Sequence, residues 1–474
     1  MEPGAGAVRH LYVHIPFCRA RCAYCDFASE SLVSRALETV TASYLHALET
    51  ELAWSAPWRA QRLETVYVGG GTPTHLPFGA LVALVRGLSG EGPATEGGTA
   101  TKGGPPSTGG SATGGPATGS PVAAIGPAAA AAAGPAAAAQ TPPAVGAEPG
   151  ALELTVEANP EGLDGDKLQQ LCDAGMTRLS LGVQSFDASL RRTLGRSVHD
   201  EALRRACGAV AECGLSNWNL DLIFGIPGQT WRQAEGDVLR AVAAGPAHIS
   251  LYDLTYTPSY AARVARRLGP GAQARAQAFA ERRYAKVVAL LEQEGYRRYE
   301  VSNFARPGYE CRHNLAYWRG WDYLGVGAAA VSTVGGLRWG NVSTAEEYVA
   351  RWARYKAERQ RGDKATWGSP SASTSALFSS SPASSAAPSL SPSAGTVERL
   401  TRHERLFERA MLGLRTAEGV SREEVEIVLD NDRLRQLLAA GLVVERCGKL
   451  TLSAGGLNVS NAVLSAILVS PAAE

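Results

Sequence analysis

The chain has 474 residues, 45% of them hydrophobic and 19% charged, and a formal net charge of +1 at pH 7. Such a length allows two to three domains with a sizeable core, and the near-neutral balance gives no reason to expect nucleic acid or an anionic membrane as partner. No uninterrupted run of about 20 apolar residues is present for a transmembrane segment; the Ala-rich stretch 123–139 is broken by Gly-Pro pairs.

Ten residues, MEPGAGAVRH, precede the first apolar run. That is too short for a signal or transit peptide, so a cytoplasmic location is expected, with an organellar one only if residues are missing ahead of Met1. The scattered cysteines Cys172, Cys207, Cys213, Cys311 and Cys447 make no disulfide framework and fit a reducing compartment. In chain order, LYVHIPF at 11–17 reads as a strand and 36–54 as an amphipathic helix. TVYVGGGTP at 65–73 is the second strand, followed by a helix over 81–88. Residues 89–150 are almost wholly Gly, Ala, Pro, Ser and Thr and are expected to stay disordered.

Beyond that segment LELTVEANP (152–160), RLSLGVQSF (178–186), NLDLIFGIPGQT (219–230) and HISLYDLTY (248–256) read as further strands. Helices are expected near 164–174, 200–213 and 231–243. Six strand–helix alternations predict an α/β fold with a parallel sheet, and the near-continuous apolar strands suggest that both faces are covered. Polar residues and glycines gather at the strand C-termini, the rim where barrel-like α/β folds carry their chemistry. The low-complexity insert falls between a helix and the next strand, hence at the opposite rim.

A helix is expected over 270–294, and a second low-complexity segment covers 368–397. The last part, 398–474, reads as a helix at 401–413, a short helix near 421–427, a helix at 431–440 and a hairpin of LVVER and KLTLS, a mostly helical, winged-helix-like unit. The expected domains are a barrel over 8–260 interrupted by 89–150, an extension over 261–363, a disordered linker over 364–397, and a C-terminal domain over 398–474.

Cys18, Cys22 and Cys25 stand in a C-x3-C-x2-C spacing. Thiolates bind soft metals, and three of them on a [4Fe–4S] cluster leave one iron without a protein ligand. A structural zinc ion is the competing reading, but it needs a fourth ligand and the usual paired spacing is absent. Coincidence is the third.

With HIPFC, GGGTP, GVQSF, DLIFGIPGQT and LTLSAGGLNVSNAVL in order, the chain resembles the radical S-adenosylmethionine (SAM) superfamily. More narrowly it is similar to the oxygen-independent coproporphyrinogen III oxidase family. The resemblance implies a partial (β/α)6 barrel in which the open iron chelates SAM through its amino and carboxylate groups. One electron then cleaves the sulfonium bond, and an electron donor is needed. It further implies that Gly70 and Gly71 let backbone approach the ligand, that Thr72 offers a hydroxyl, and that Glu157 pairs with the SAM ammonium. Gln184, Arg196 and Asp221 would serve the carboxylate and ribose, and Tyr12 and Tyr24 would pack on cluster and adenine. Taken singly, each residue also has a structural reading, as turn, helix cap, surface charge or core.

The oxidases carry a further cysteine two positions after the third, where this chain has Phe27. CDF and the stretch HNLAYW (313–318) resemble instead the haem-chaperone branch. There the motif is linked to haem, with His313 as a candidate ligand, Tyr317 and Trp318 as flat apolar faces, and Cys311 as a second ligand or attachment point. The competing reading is that His313 and Asn314 pin a loop. In LGVGAAAVSTV (324–334) alanine stands where the family has a His in a GAHS-like stretch. The resemblance therefore implies a haem chaperone that binds haem, a cluster and SAM and passes haem to an acceptor protein of unknown identity. The alternative is coproporphyrinogen III oxidase itself, an enzyme reading that Phe27 disfavours, and a radical SAM enzyme on an unrelated substrate is the third.

Overall fold

The computed structural model describes residues 7–32, 34–90, 150–361 and 391–469. Most of the expected disorder in 89–150 and 364–397 thus lies outside the described residues.

The strands are β1 (His10–Ile15), β2 (Thr65–Gly70), β3 (Glu153–Ala158), β4 (Arg178–Gln184), β5 (Trp218–Phe224) and β6 (His248–Asp253), each parallel to the next. The intervening helices are α1 (Ser34–Ser55), α2 (Phe78–Ser89), α3 (Gly165–Asp173), α4 (Ala188–Leu194), α5 (Asp200–Cys213) and α6 (Trp231–Ala243). Two more helices follow, α7 (Pro258–Leu268) and α8 (Ala272–Gln293). Helix starts are fixed locally: Asp164 accepts from the Lys167 amide at 2.9 Å, and Thr230 with Gln233 forms a capping box.

The sheet extends at both edges. β7 (Asn303–Ala305) pairs antiparallel with β6, and after α9 (Arg312–Trp318) comes β8 (Leu324–Val326), parallel to β1. The sheet is therefore open, as a partial barrel requires.

The strands are not continuously apolar. They alternate with period two, and the register aligns like with like. Leu11, Val66, Leu154, Leu179, Leu220 and Ile249 are all 0% exposed and join the helices in one core. Each such buried side chain contributes about 1.5–3 kcal/mol. On the other face His10 sits opposite Thr65, Thr65 opposite Glu153, Thr155 opposite Arg178, and Ser180 opposite Asn219. One face meets the helices, and the other is a polar lining for the lumen. Both faces are covered, as expected, but the strands are not near-continuously apolar, because the lumen-facing positions are buried polar residues.

A second sheet joins β9 (Val331–Val334), β10 (Leu337–Asn341) and, after α10 (Ala345–Gln360), β11 (Ala394–Arg399). The expected linker therefore ends earlier than the composition indicates. Ser391 and Ser393 are buried, and their hydroxyls donate to Asn341 Oδ1 at 3.5 and 2.8 Å. In a Ser-rich segment these two positions are ordered by partners far away in the chain. The C-terminal unit has helices Arg402–Gly413 and Asn431–Ala439, a hairpin of Val443–Arg446 and Lys449–Leu452, and its own apolar cluster. Among the described residues no helix is long and apolar enough to cross a membrane.

Candidate functional site

The cysteines occupy a loop at the C-terminal end of β1. Phe17 and Cys18 pair in parallel with Glu30 and Ser31, which closes the excursion at its base. The Gly71 and Thr72 amides donate to the Ile15 and Phe17 carbonyls at 2.8 and 2.9 Å, seating the GGGTP turn on the loop's stem. The tip is held from another side, where the Ala23 amide donates to the Leu194 carbonyl at the end of α4 at 3.1 Å. The Cys25 amide turns back onto the Cys22 carbonyl at 3.2 Å.

All three cysteines are half-buried. Burial raises the thiol pKa of Cys22 and of Cys25, and Cys18 lies close enough to both to add to the rise, while Arg196 opposes it at Cys22. Among the described residues no three His, Cys, Asp or Glu side chains converge as ligands of one metal ion would. In a cubane each thiolate sits on a different iron, and three thiolates leave one iron open, whereas a structural zinc needs a fourth ligand.

A chain of polar contacts runs from the loop across the strand ends. Cys18 Sγ lies 3.5 Å from Thr72 Oγ1, and Asn159 Nδ2 donates to that hydroxyl at 2.9 Å. Arg196 Nη2 donates to Asn159 Oδ1 at 2.6 Å and to the Gly182 carbonyl at 3.0 Å. A Cβ on Gly182 would be crowded by Gln184 Nε2 at 3.1 Å, Asn159 Oδ1 at 3.2 Å and Arg196 Nη1 at 3.5 Å, so the bare backbone lets these polar groups close over it. Arg196 is 8% exposed; burial alone would lower its pKa, but Tyr24 and Cys22 beside it raise it overall. Tyr24 is pushed up mainly by burial. Gln184 holds φ +70° at a bulge in β4, a conformation that L residues adopt only where their surroundings impose it.

One layer below the rim, Glu157 accepts from Tyr67 Oη at 2.8 Å and from the Gly70 amide at 3.1 Å. Burial pushes its pKa up to about 7 despite these donors, with Asp221 adding to the rise. Asp221, itself raised by burial, accepts from Asn219 Nδ2 at 2.7 Å. Tyr12, raised by burial, has its hydroxyl 2.9 Å from His14 Nδ1.

Gly70 and Gly71 are also required by the protein's own packing. A Cβ on Gly70 would meet the His14 ring at 2.4 Å, and one on Gly71 would meet the Ile15 and Phe17 carbonyls at 2.8 Å. Their bareness makes room for the protein's own loop and imidazole, and Gly70 also needs its φ of +108°. Asn159 and His14 are site residues that sequence reasoning missed, although EANP and HIPFC both contain them.

His313 lies elsewhere. It is on α9, which closes the N-terminal mouth of the lumen. Its Nδ1 is 2.7 Å from Thr65 Oγ1 and its Nε2 3.1 Å from Tyr317 Oη, and its ring stacks on Tyr67 at 5.3 Å. It is 1% exposed, and burial lowers its pKa to about 3, keeping it neutral. Glu153 accepts from the Arg312 and His313 amides at 3.1 and 3.0 Å and from Cys311 Sγ at 3.6 Å. Burial pushes the Cys311 thiol up to about 12. In this structure the His313 imidazole and the Cys311 thiol, candidate haem contacts from the sequence, are both engaged by the protein's own groups. Both are tied into the barrel floor, away from the cysteine loop. Phe27, by contrast, is 68% exposed on that loop.

A model of the radical SAM superfamily matches residues 12–240. The chain is 32% identical over 339 residues to heme chaperone HemW of Synechocystis, covering 71% of this chain and 69% of that protein. It is 31% identical over 321 residues to HemW of Escherichia coli, covering 68% of each. To HemW of Mycobacterium tuberculosis it is 33% identical, covering 74% of this chain and 75% of that one. Among solved structures, the radical SAM coproporphyrinogen III oxidase HemN of Escherichia coli superposes with a TM-score of 0.63 over 97% of this chain and 90% of its own, at 20% identity. That likeness concerns the fold. Identity at this level along two thirds of both chains, over a fold whose rim carries the three-cysteine loop, leads to one conclusion: the chain belongs to the heme chaperone HemW family of the radical SAM superfamily.

Proposed function

We propose that the protein is a haem chaperone, binding haem together with a [4Fe–4S] cluster and SAM and passing haem to an acceptor protein. The observation that carries the reading is the loop itself: three half-buried thiols held at the barrel mouth, with an exposed Phe27 where an oxidase would place another cysteine. Relatives at similar identity are named heme chaperones, which supports the same choice.

Cys18, Cys22 and Cys25 would hold the cluster, which when bound supplies one electron to a sulfonium ligand on its open iron. Thr72, Asn159 and Arg196 fix the loop against the strand ends and present donors to a carboxylate. Glu157, with a pKa of about 7, can meet an ammonium as its anion while Tyr67 and the Gly70 amide hold its two oxygens. The lumen above Tyr12 and Tyr67 keeps these groups out of bulk water, where their interactions would weaken. For His313 to meet haem iron it would have to release Thr65 or Tyr317.

The test is one anaerobic preparation carrying cluster and SAM, given haem and then coproporphyrinogen III. The expected result is stoichiometric haem uptake, transfer to an apo-haem protein, and no decarboxylation. Conversion to protoporphyrinogen IX without haem transfer would establish the oxidase instead.

A further inference from the structure

The cysteine loop does not stand alone on the surface. Its tip is bonded to the end of α4 through Ala23 and Leu194, and α7 packs against α4 from the other side. There Tyr260 Oη donates to the Thr193 carbonyl at 3.4 Å and Arg267 Nη1 to the Arg192 carbonyl at 3.5 Å. Ala23 and Tyr24 share one apolar cluster with Leu190, Leu194, Tyr260 and Val264. Loop, α4 and α7 therefore form one continuous shoulder around the thiols.

That shoulder is strongly basic. Arg19, Arg21, Arg192, Arg263, Arg266 and Arg267 are all exposed, and none has an ion-pair partner among the described residues. Across residues 18–28, 188–194 and 258–268 the sole acid is Asp26. Elsewhere on this molecule arginines are commonly paired, as Arg319 is with Glu418, Arg338 with Glu408 and Arg422 with Glu445. In a chain of net charge +1, six unpaired guanidiniums around one loop create a local positive field where the whole molecule has almost none. Arginine at an exposed face also favours protein contacts.

We infer that this arginine shoulder is the docking face for an acidic one-electron carrier protein, which it steers to the cysteine loop. The inference rests on the reading of that loop as a cluster site, because a cluster there must receive its electron from outside. The transfer is one electron from the reduced carrier to the oxidised cluster, with no bond made or broken. A rim charge of this kind acts mainly on encounter rate and salt dependence.

The probe is a plant-type [2Fe–2S] ferredoxin, an acidic carrier. Its binding to the chain without cluster is measured at about 20 mM and about 500 mM salt, for wild type and for Arg263→Glu/Arg267→Glu. At low salt the double variant is expected to bind at least about tenfold more weakly, and wild type to lose a similar factor at high salt. With cluster, reduction by ferredoxin should slow to match, while reduction by dithionite, which needs no docking, stays unchanged. Equal binding by wild type and variant overturns the inference. So does an equal loss in the control Arg433→Glu/Arg435→Glu on the C-terminal unit, or salt-dependent binding of phosphatidylserine vesicles in place of ferredoxin. If no cluster assembles but apo-chain binding follows the shoulder charges, the cluster reading fails and the docking face stands.

Discussion

Replacing Glu51 by Gln probes how the second sheet is fastened to the barrel. Glu51 on α1 is 2% exposed, and its carboxylate accepts from the Gly327 amide at 2.8 Å, Asn341 Nδ2 at 2.9 Å and Tyr348 Oη at 2.5 Å. Ser391 and Ser393 hydroxyls also point at it, at 3.4 and 3.3 Å. One carboxylate thus joins the barrel to α10 and to the segment entering β11. Burial raises its pKa from 4.5 to about 6 in spite of these donors.

The sign follows from which state holds the proton more tightly. The folded chain does, so the contribution is complete below pH 4.5 and is lost as pH rises through about 6. At about 1.4 kcal/mol per pH decade the loss is about 2 kcal/mol. Gln cannot titrate, so the stability of wild type minus that of Glu51→Gln should fall by about 2 kcal/mol between pH 4.5 and 7.5. Urea unfolding at a series of pH values measures it. A difference independent of pH, or one that grows with pH, would refute the reasoning. Glu51→Ala should cost about 3–5 kcal/mol at pH 4.5, because several buried donors lose their acceptor, and the difference should fall with pH as it does for Glu51→Gln.

Cys22→Ser should reduce iron and sulfide after anaerobic reconstitution from about four of each per chain to near zero; stoichiometric zinc in the wild type would contradict the cluster. His313→Ala should leave the Soret band of added haem unchanged while lowering unfolding stability by about 2–4 kcal/mol, through loss of the Thr65 and Tyr317 contacts and the Tyr67 stack. A shifted Soret band with normal stability would make His313 a haem ligand. Asp237 accepts from Ser185 Oγ and the Phe186 amide, both at 2.7 Å, next to the strained Gln184. Asp237→Ala should weaken SAM binding, read by calorimetry, without changing cluster content, and Asp237→Asn should restore most of it; unchanged SAM affinity in the alanine variant would remove Asp237 from this positioning role.

The six strands and most of their helices were legible because apolar periodicity is local, and the cysteine spacing announced its chemistry within eight residues. What the sequence withheld was mostly non-local. The short edge strand Leu324–Val326 has no periodicity of its own and exists because β1 offers an open edge. Ser391 and Ser393 read as low complexity until Glu51 and Asn341, tens to hundreds of residues away, are seen to hold them. The glycines in GGGTP were recognised as necessary, but whether a guest or the His14 ring fills their space is a tertiary fact. HNLAYW gave its residue types correctly and its location not at all. An imidazole beside aromatics suits a haem pocket and a barrel plug equally well, and the partners of its two ring nitrogens, Thr65 and Tyr317, are tertiary facts.

The last described residues of α2 and the first before β3 lie at the barrel floor, where a Cβ on Gly175 would come within 2.4 Å of Ser89. The chain therefore leaves at Gly90 and returns at Gly150 on the side facing away from the thiols. A fluorescent reporter or affinity module joined directly to those two points would be anchored at the barrel floor, giving experimenters a handle attached away from the reactive end.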